Sequence, residues 1–281
     1  AMNILAAPRG DDNSSGHKHI STAVIGTRGG VGASTIATSL AWHFSAGMGS
    51  HTALLDLDVH FGTGALTMDL EPGRGLTDAI ETPSRIDSLF LERAMLKANE
   101  KLSILSSEAS IGSPIMTDGS AFFQLQEEFR AAFENTIVDM PRNMLINYPQ
   151  LLVDVNVIVL VCEMTLASAR DTIRILAWLR SNAQHCRVLL VANKVQAGNV
   201  EITRKDFEAS VERAIDLMIP ADVKAAATAA KLGQPLIEAA SGSKIAASLR
   251  DLSNLIKDSV EEEESDDASG AASKKGKSAL G

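Results

Sequence analysis

The chain has 281 residues, 45% of them hydrophobic, and a formal net charge of −9 at pH 7. This size and apolar content favour one large α/β domain with a covered core and polar ends. The acidic balance argues against a non-specific nucleic-acid binder, because contact with a phosphate backbone requires clustered Lys and Arg, and a local basic patch is the alternative. No apolar run is long enough to insert into a membrane, and the polar start is not a secretory signal, so we expect a soluble, cytoplasmic protein.

The first predicted elements follow a polar lead-in over residues 1–19, which shows no periodicity and is expected to be a flexible linker. A short apolar run at 22–26 ends in a glycine-rich turn. Ile36, Leu40 and Phe44 then recur at helical spacing. The order of these patterns predicts a strand, a loop and a helix.

Further apolar runs predict the rest of a sheet. Strands are expected at 52–56, 102–105, 136–139, 155–162 and 188–192, with a short one ending at Ile219. Helical patterns lie between them at 122–133 and 168–180, and another at 243–260 closes the core. Apolar strands without polar alternation, each followed by a helix, indicate an α/β fold with a mainly parallel sheet covered by helices on both faces.

The composition changes after residue 260. The acidic and lysine-containing run at 261–281 cannot bury apolar surface, so we expect a disordered tail. The predicted organisation is therefore a lead-in at 1–19, one domain at 20–260 and a tail at 261–281.

The glycine-rich loop reads Arg-Gly-Gly-Val-Gly-Ala-Ser-Thr over residues 28–35. Such loops leave backbone amides free to converge on phosphate oxygens at the positive end of the following helix. A strict phosphate loop would have glycine at Thr27 and lysine at Ala33, and a plain connecting turn is the alternative. The candidate nucleotide-binding residues are Gly29, Gly30, Val31, Gly32, Ala33, Ser34 and Thr35.

This loop resembles the deviant Walker loop of the ParA/MinD ATPases, K-G-G-x-G-K-S/T. Arginine in the first place and alanine in the lysine place resemble the CpaE/TadZ branch, whose members assemble Flp/Tad pili. The similarity extends from about residue 22 to residue 255 and includes the segment at 75–80. It implies a P-loop NTPase fold of the SIMIBI type, with ATP and Mg²⁺ as ligands. Members of this branch commonly carry a receiver-like domain before the ATPase part.

Carboxylates at two predicted strand ends complete the magnesium site that the resemblance implies. Residues 55–58 and 61–63 resemble the segment that holds the switch I aspartate, here Asp58, and residues 137–141 resemble the Walker B segment, here with Asp139. Ser34, Asp58 and Asp139 are therefore the candidate metal ligands. The alternative for each aspartate is that it caps a helix or turn beyond its strand.

The base-binding residues are expected at later strand ends. Asn193 lies in a segment that resembles the one contacting the base, and Gln196 stands where guanine-selective N-K-x-D motifs have aspartate, so adenine is favoured. Pro220 and Asp222 resemble the loop beside the base, although an ordinary strand-ending turn is an alternative.

Hydrolysis is expected to be slow or absent, because Ala33 removes the ammonium that neutralises charge between the β and γ phosphates. One ion pair at about 4 Å is worth roughly 4 kcal/mol at an effective dielectric near 20, or about a thousandfold in rate. In the family the first lysine of the loop reaches the partner's nucleotide in a homodimer. Arg28 is the candidate for that role, and Arg28 and Asp58 are the candidate catalytic residues.

These features favour an ATP-dependent dimer that serves as a localisation or assembly factor for a Flp/Tad-type pilus or secretion machine. We expect it in the cytoplasm, peripheral to a membrane-bound assembly at a cell pole, without membrane insertion of its own. One alternative is an active partitioning or membrane-positioning ATPase. Another is a scaffold with a vestigial nucleotide site.

Overall fold

A single sheet organises the described part of the chain. The computed structural model describes residues 19–112, 117–196, 198 and 201–277, with side chains up to residue 262. Eight strands lie there in the order β3-β4-β2-β5-β1-β6-β7-β8. Their bounds are Ile20–Gly26 (β1), Thr52–Asp56 (β2), Leu96–Lys97 (β3), Leu102–Leu105 (β4), Asn135–Met140 (β5), Val157–Cys162 (β6), Arg187–Val195 (β7) and Leu217–Pro220 (β8).

The predicted, mainly parallel sheet is confirmed. Strand β1 lies at the centre and pairs in parallel with β5 on one side and β6 on the other. The short strand β3 pairs antiparallel with β4 at one edge. With only two residues, Leu96 and Lys97, β3 is too short to show the apolar run that predicts a strand. Strand β3 was not predicted, and every strand that was predicted is present, with ends shifted by at most three residues.

Helices cover both faces of the sheet. Their bounds are Ala33–Trp42 (α1), Gly75–Glu81 (α2), Ser88–Ala94 (α3), Ser120–Ala132 (α4), Arg142–Asn147 (α5), Leu166–Asn182 (α6), Arg204–Val211 (α7), Val223–Leu232 (α8), Leu236–Ala239 (α9) and Lys244–Lys277 (α10). A π-helical turn at His43–Gly47 extends α1, and 3₁₀ turns occupy Leu66–Met68, Pro83–Arg85 and Pro149–Leu152.

Alternate residues of each central strand enter different cores, as expected for a sheet buried on both faces. In β1, Ile25 packs into a core that also contains side chains of α2, α4, α6 and α7. Its neighbour Val24 packs into a second core formed with α1, α8, α9 and α10. The helix α10 contributes Leu249, Leu252 and Ile256 to that second core and contacts α1 directly.

The chain ends differ in part from the prediction. The backbone of 261–277 continues α10 instead of forming an irregular tail, because glutamate, alanine and lysine favour helix and a helix already nucleated extends at little cost. Residues 1–18 of the predicted lead-in and 278–281 of the predicted tail lie outside the described residues. The domain boundaries at 19 and 260 stay predictions. Within the described residues, no helix has the length and apolar character needed to cross a bilayer.

The packing of α10 can be tested at Leu252, whose side chain is fully buried. We expect Leu252→Ala to lower the free energy of unfolding by about 2–5 kcal/mol, because the truncation leaves a cavity in the second core. The exposed Lys257→Ala on the same helix is the control and should change the value by less than about 0.5 kcal/mol. Urea denaturation followed by circular dichroism measures both. Equal effects of the two variants would contradict the assigned face.

Candidate nucleotide-binding site

The glycine-rich loop connects β1 to α1 at the carboxyl end of the central strand. Gly30 and Gly32 have φ values of 81° and 93°, a left-handed conformation that side-chain-bearing residues rarely adopt. Gly32 precedes the first helical residue, Ala33, so the loop runs directly into the amino end of α1. The loop backbone therefore meets the positive end of a ten-residue helix, the arrangement that binds phosphate.

A cavity of about 600 Å³ opens above this loop. It brings together all the loop residues predicted to bind nucleotide and both aspartates predicted to bind metal. The residues predicted from the sequence that line it are Arg28, Gly29, Gly30, Val31, Gly32, Ala33, Ser34, Thr35, Asp58 and Asp139. Gly26, Met140, Pro141, Arg142 and Asn143 complete the lining.

Asp139 and Ser34 lie in contact on the floor of the cavity. Asp139 is the penultimate residue of β5, is only 6% exposed, and is hydrogen-bonded by the Ser34 side chain. Burial raises the pKa of Asp139 to about 7, with the charge of Asp56 adding to the shift and the Ser34 hydrogen bond opposing it. A buried carboxylate that meets a hydroxyl beside a phosphate-type loop is suited to share a divalent cation.

Asp56, at the end of the adjacent strand β2, holds the following loop in place. Its carboxylate accepts hydrogen bonds from the amides of Asp58 at 3.1 Å and Gly64 at 2.8 Å. Burial raises the pKa of Asp56, and these amide hydrogen bonds oppose the shift. Because Gly62 and Gly64 pack against this carboxylate, Asp56 is a structural residue of the loop that carries Asp58.

Asp58 caps a turn and also lines the cavity. Its carboxylate accepts from the amide of Phe61 at 3.1 Å, so it caps the turn that follows β2. The same residue lines the phosphate-loop cavity opposite the loop glycines. The turn cap fixes the carboxylate at the edge of the cavity, where a role toward Mg²⁺ or water stays a prediction.

Two consecutive loop residues attach the loop to α6. The Thr27 hydroxyl shares a hydrogen bond of 2.9 Å with the buried Ser168 hydroxyl. The guanidinium of Arg28 donates to Asp171 at 2.7 Å, in an ion pair whose arginine side chain is 48% exposed. In this structure Arg28 is therefore bound within its own chain, by a partner that no sequence pattern indicated.

Asn193 lies behind the loop, outside the cavity lining. Its side-chain amide donates to the carbonyl of Val31 at 2.8 Å, and it is only 8% exposed. The adjacent Lys194 has a φ of 55°, donates to the carbonyl of Gly30, and forms an ion pair with Glu163 at 2.8 Å. These bonds fix the backbone carbonyls of Val31 and Gly30 in the loop. A contact between Asn193 and a base stays a prediction.

Pro220 and Asp222 also lie outside the cavity lining. Pro220 ends β8, which pairs with β7, so the segment shares the sheet edge that carries Asn193. Asp222 accepts from the amide of Ala225 at 2.9 Å and thereby caps α8. A base-binding role for this segment stays a prediction, as does its alternative, an ordinary strand-ending turn.

Sequence reasoning missed Arg142 and Asp171. Arg142 follows Asp139 by three residues and lines the cavity, so its basic side chain beside a predicted metal ligand was the available signal. Asp171 is 143 positions from Arg28, and only the fold brings them together.

Comparisons with known proteins agree with this geometry at the level of the fold. No protein-family profile matches the sequence, and no curated protein matches it. Solved structures do match. A ParA family ATPase from Chlorobium tepidum TLS has a TM-score of 0.76 and 20% identity, covering 84% of this chain and 98% of that one. The chain has the ParA/MinD fold.

Two further structures with the ParA/MinD fold were solved with nucleotides. MinD from Pyrococcus horikoshii OT3, complexed with Mg-ADP, has a TM-score of 0.69 and 16% identity over 85% of this chain and 96% of that one. A plasmid partition protein from Borrelia burgdorferi B31, bound to AMPPNP, has a TM-score of 0.54 and 13% identity over 79% and 96%. The fold class predicted from the sequence, a mainly parallel α/β sheet covered by helices as in the ParA/MinD structures, is confirmed.

The donor set at the cavity suits Mg²⁺, which needs few protein ligands, better than it suits a metal ion coordinated by protein side chains alone. No cluster of three or more His, Cys, Asp or Glu side chains able to hold a metal ion exists among the described residues. Magnesium usually takes one or two carboxylates and completes its shell with phosphate oxygens and water. Ser34 and Asp139, with Asp58 nearby, match that requirement in a ParA/MinD fold.

The loop conformation can be tested with two glycines that differ in their surroundings. A Cβ on Gly32 would lie 2.5 Å from the Asn193 amide nitrogen and would require a strained φ, whereas a Cβ on Gly29 meets no atom within 4 Å. We expect Gly32→Ala to lower the free energy of unfolding by about 1–3 kcal/mol and Gly29→Ala by less than about 0.5 kcal/mol. Denaturant unfolding compares them, and a tolerated Gly32→Ala would contradict this loop geometry.

The buried Asp139 predicts a pH-dependent stability of the ligand-free protein. The folded chain keeps the Asp139 proton up to a pKa of about 7, whereas the unfolded chain loses it near 3.8, so this group destabilises the fold as pH rises between those values. We expect Asp139→Asn to gain about 2 kcal/mol over the wild type between about pH 5 and pH 8, measured by urea unfolding. The exposed Asp251→Asn is the control and should follow the wild type. Parallel curves for Asp139→Asn and wild type would contradict the assignment.

Proposed function

We propose that the chain binds Mg-ATP in the phosphate-loop cavity and acts as a nucleotide-dependent dimer with slow or absent hydrolysis. One observation carries this proposal. The amides of the loop, the Ser34 hydroxyl and the carboxylates of Asp58 and Asp139 line one cavity, while Ala33 occupies the lysine position of that loop. Two proteins of the same fold were solved with Mg-ADP or AMPPNP, which supports an adenine nucleotide as the ligand.

Different residues are proposed to contact the phosphates, the Mg²⁺ ion and the base. The loop amides of residues 29–35 hold the phosphates at the amino end of α1. Ser34 and Asp139 hold Mg²⁺, with Asp58 next to its shell, and the metal neutralises charge between the terminal phosphates. Asn193 uses its amide nitrogen for Val31, so its side-chain oxygen is the group left to accept from the adenine amino group. Pro220 and Asp222 would flank the base on the same sheet edge.

Slow hydrolysis follows from the charge at the site. The methyl group of Ala33 cannot stabilise the charge that develops between the β and γ phosphates during transfer. Binding needs less from this position, because the loop amides and Mg²⁺ contact the ground-state phosphates as well. Bound Mg-ATP is therefore proposed to stay in the site for a long time without being hydrolysed.

Dimerisation is proposed to depend on Arg28. Its guanidinium suits bidentate contact with a phosphate, and in a face-to-face homodimer it would reach the nucleotide of the partner subunit. The ion pair with Asp171 is partly exposed, with 48% of the Arg28 side chain and 21% of the Asp171 side chain accessible. Ion pairs in contact with solvent contribute about 1 kcal/mol or less, so a phosphate can replace the carboxylate. Asp171 then holds Arg28 while no partner is present.

A role in assembling or positioning a Flp/Tad-type pilus is the most specific part of the proposal. It is supported by the Arg28 and Ala33 pair, which resembles the CpaE/TadZ variant of the loop. The protein would bind components of the pilus machinery as a nucleotide-loaded dimer on the cytoplasmic side, at a cell pole.

The first experiment measures ligand binding, dimerisation and turnover together. Isothermal titration with Mg-ATP, light scattering with and without Mg-ATP, and steady-state phosphate release are expected to show binding, ATP-dependent dimers and little release. Robust phosphate release would favour an active partitioning or positioning ATPase. No heat and no thermal stabilisation at excess ligand would leave only the scaffold.

The proposed role of Arg28 predicts that two variants change the strength of dimerisation in opposite directions. We expect Arg28→Ala to abolish Mg-ATP-dependent dimers while changing monomer affinity for Mg-ATP by less than about threefold, because the side chain acts on the partner's nucleotide. Asp171→Asn should strengthen dimerisation by about two- to fivefold, because it removes a competing ion pair worth at most about 1 kcal/mol. Sedimentation velocity measures the dimer fraction, and the exposed Arg93→Ala is the control. Unchanged dimers in Arg28→Ala would rule out this contact.

A further inference from the structure

The missing lysine leaves a charge problem at the phosphate-loop cavity. A nucleoside triphosphate brings about four negative charges, and one Mg²⁺ neutralises two of them. Asp58 and Asp139 line the same cavity and add negative charge when they are ionised. A triphosphate in this cavity therefore needs a protein cation that Ala33 does not supply.

Two cations near the loop are already engaged. Arg28 donates to Asp171 at 2.7 Å. Lys194 pairs with Glu163 at 2.8 Å and donates to the Gly30 carbonyl, and it does not line the cavity. Both side chains hold structural contacts with the loop or with α6.

Arg142 is in a different situation. It lines the cavity together with the loop and Asp139, and its side chain is exposed. Across residues 19–112, 117–196 and 201–262, no hydrogen bond or ion pair to its guanidinium is found. A long cationic side chain that borders the cavity without a carboxylate partner is available for an anionic ligand.

The backbone places Arg142 there by local sequence. Asp139 is the penultimate residue of β5, and Pro141, with a φ of −59° and a ψ of 134°, turns the chain into α5. Arg142 is the first residue of that helix, so the metal-binding candidate and the arginine are separated by only two residues at the edge of one cavity.

We propose that Arg142 contacts the terminal phosphates of the bound nucleotide and supplies the positive charge that a lysine at Ala33 would otherwise provide. This inference rests on the proposed Mg-ATP site and assigns its phosphate-binding cation. The cation enters from the Walker B side of the cavity instead of from the loop. Its planar guanidinium can bind two phosphate oxygens at once, whereas a lysine ammonium acts as a point charge.

The test uses two ligands and a set of matched variants. Isothermal titration compares Mg-ATP with inorganic tripolyphosphate in the presence of Mg²⁺, for the wild-type chain, Arg142→Ala, Arg142→Lys and Arg174→Ala. Arg174 is the matched control, because it is an exposed arginine in the neighbouring cavity that Arg142 also lines. Thermal unfolding without ligand confirms that each variant is folded.

We expect Arg142→Ala to weaken both ligands by about ten- to a hundredfold, Arg142→Lys to weaken them less, and Arg174→Ala to change them by less than threefold. The double variant Arg142→Ala with Ala33→Lys should recover most of the lost affinity, since it returns a cation to the loop.

The outcomes separate this inference from the proposed function. Wild-type binding of Mg-ATP with full affinity in Arg142→Ala would overturn the role of Arg142 and leave the nucleotide site standing. Tripolyphosphate binding that depends on Arg142, without binding of Mg-ATP, would support Arg142 and overturn the nucleotide site. Absence of binding for both ligands would overturn both, and equal losses in Arg142→Ala and Arg174→Ala would reduce the effect to general surface charge.

Discussion

The parallel pairing of β1 between β5 and β6 is the constraint on which the candidate site depends. Because parallel neighbours end at the same edge of a sheet, the loop that follows Gly26 opens beside Asp139 at the end of β5. The strand β2 pairs with the other side of β5, and Asp56 is in register with Asp139. Three consecutive positions in the sheet therefore deliver the loop, the buried carboxylate and the segment that carries Asp58.

The loop itself is held by side chains that come from elsewhere in the chain. Asn193 binds the Val31 carbonyl from β7, and Ser168 and Asp171 bind Thr27 and Arg28 from α6. A loop with left-handed glycines has few contacts of its own, so these bonds fix its shape before any ligand arrives. Each such bond contributes about 1 kcal/mol, and together they make the cavity a preformed feature of the fold.

The sequence predicted the fold well because its signals are local and repeated. Buried strands appear as short apolar runs, and the glycines within residues 29–32 mark the loop. The sequence could not show which cations are free, since ion pairing depends on residues far apart in the chain. Arg28 was the candidate for a contact with the partner's nucleotide but binds Asp171, whereas Arg142, which no sequence pattern singled out, borders the cavity. The bond from the Asn193 side-chain amide to the Val31 carbonyl also joins residues far apart in the chain, so no sequence pattern indicated it.

The packing of α10 against α1 has a consequence for the order in which the protein can be made. The apolar face of α1, with Ile36 and Leu40, belongs to the core that Leu249, Leu252 and Ile256 complete more than two hundred residues later. The strand before α1 likewise pairs first with residues 135–140. During synthesis, the edges of β1 stay unpaired until β5 has left the ribosome, and the apolar side chains of α1 stay exposed until α10 has left it. We therefore expect the nascent chain to bind chaperones that shield hydrophobic surface.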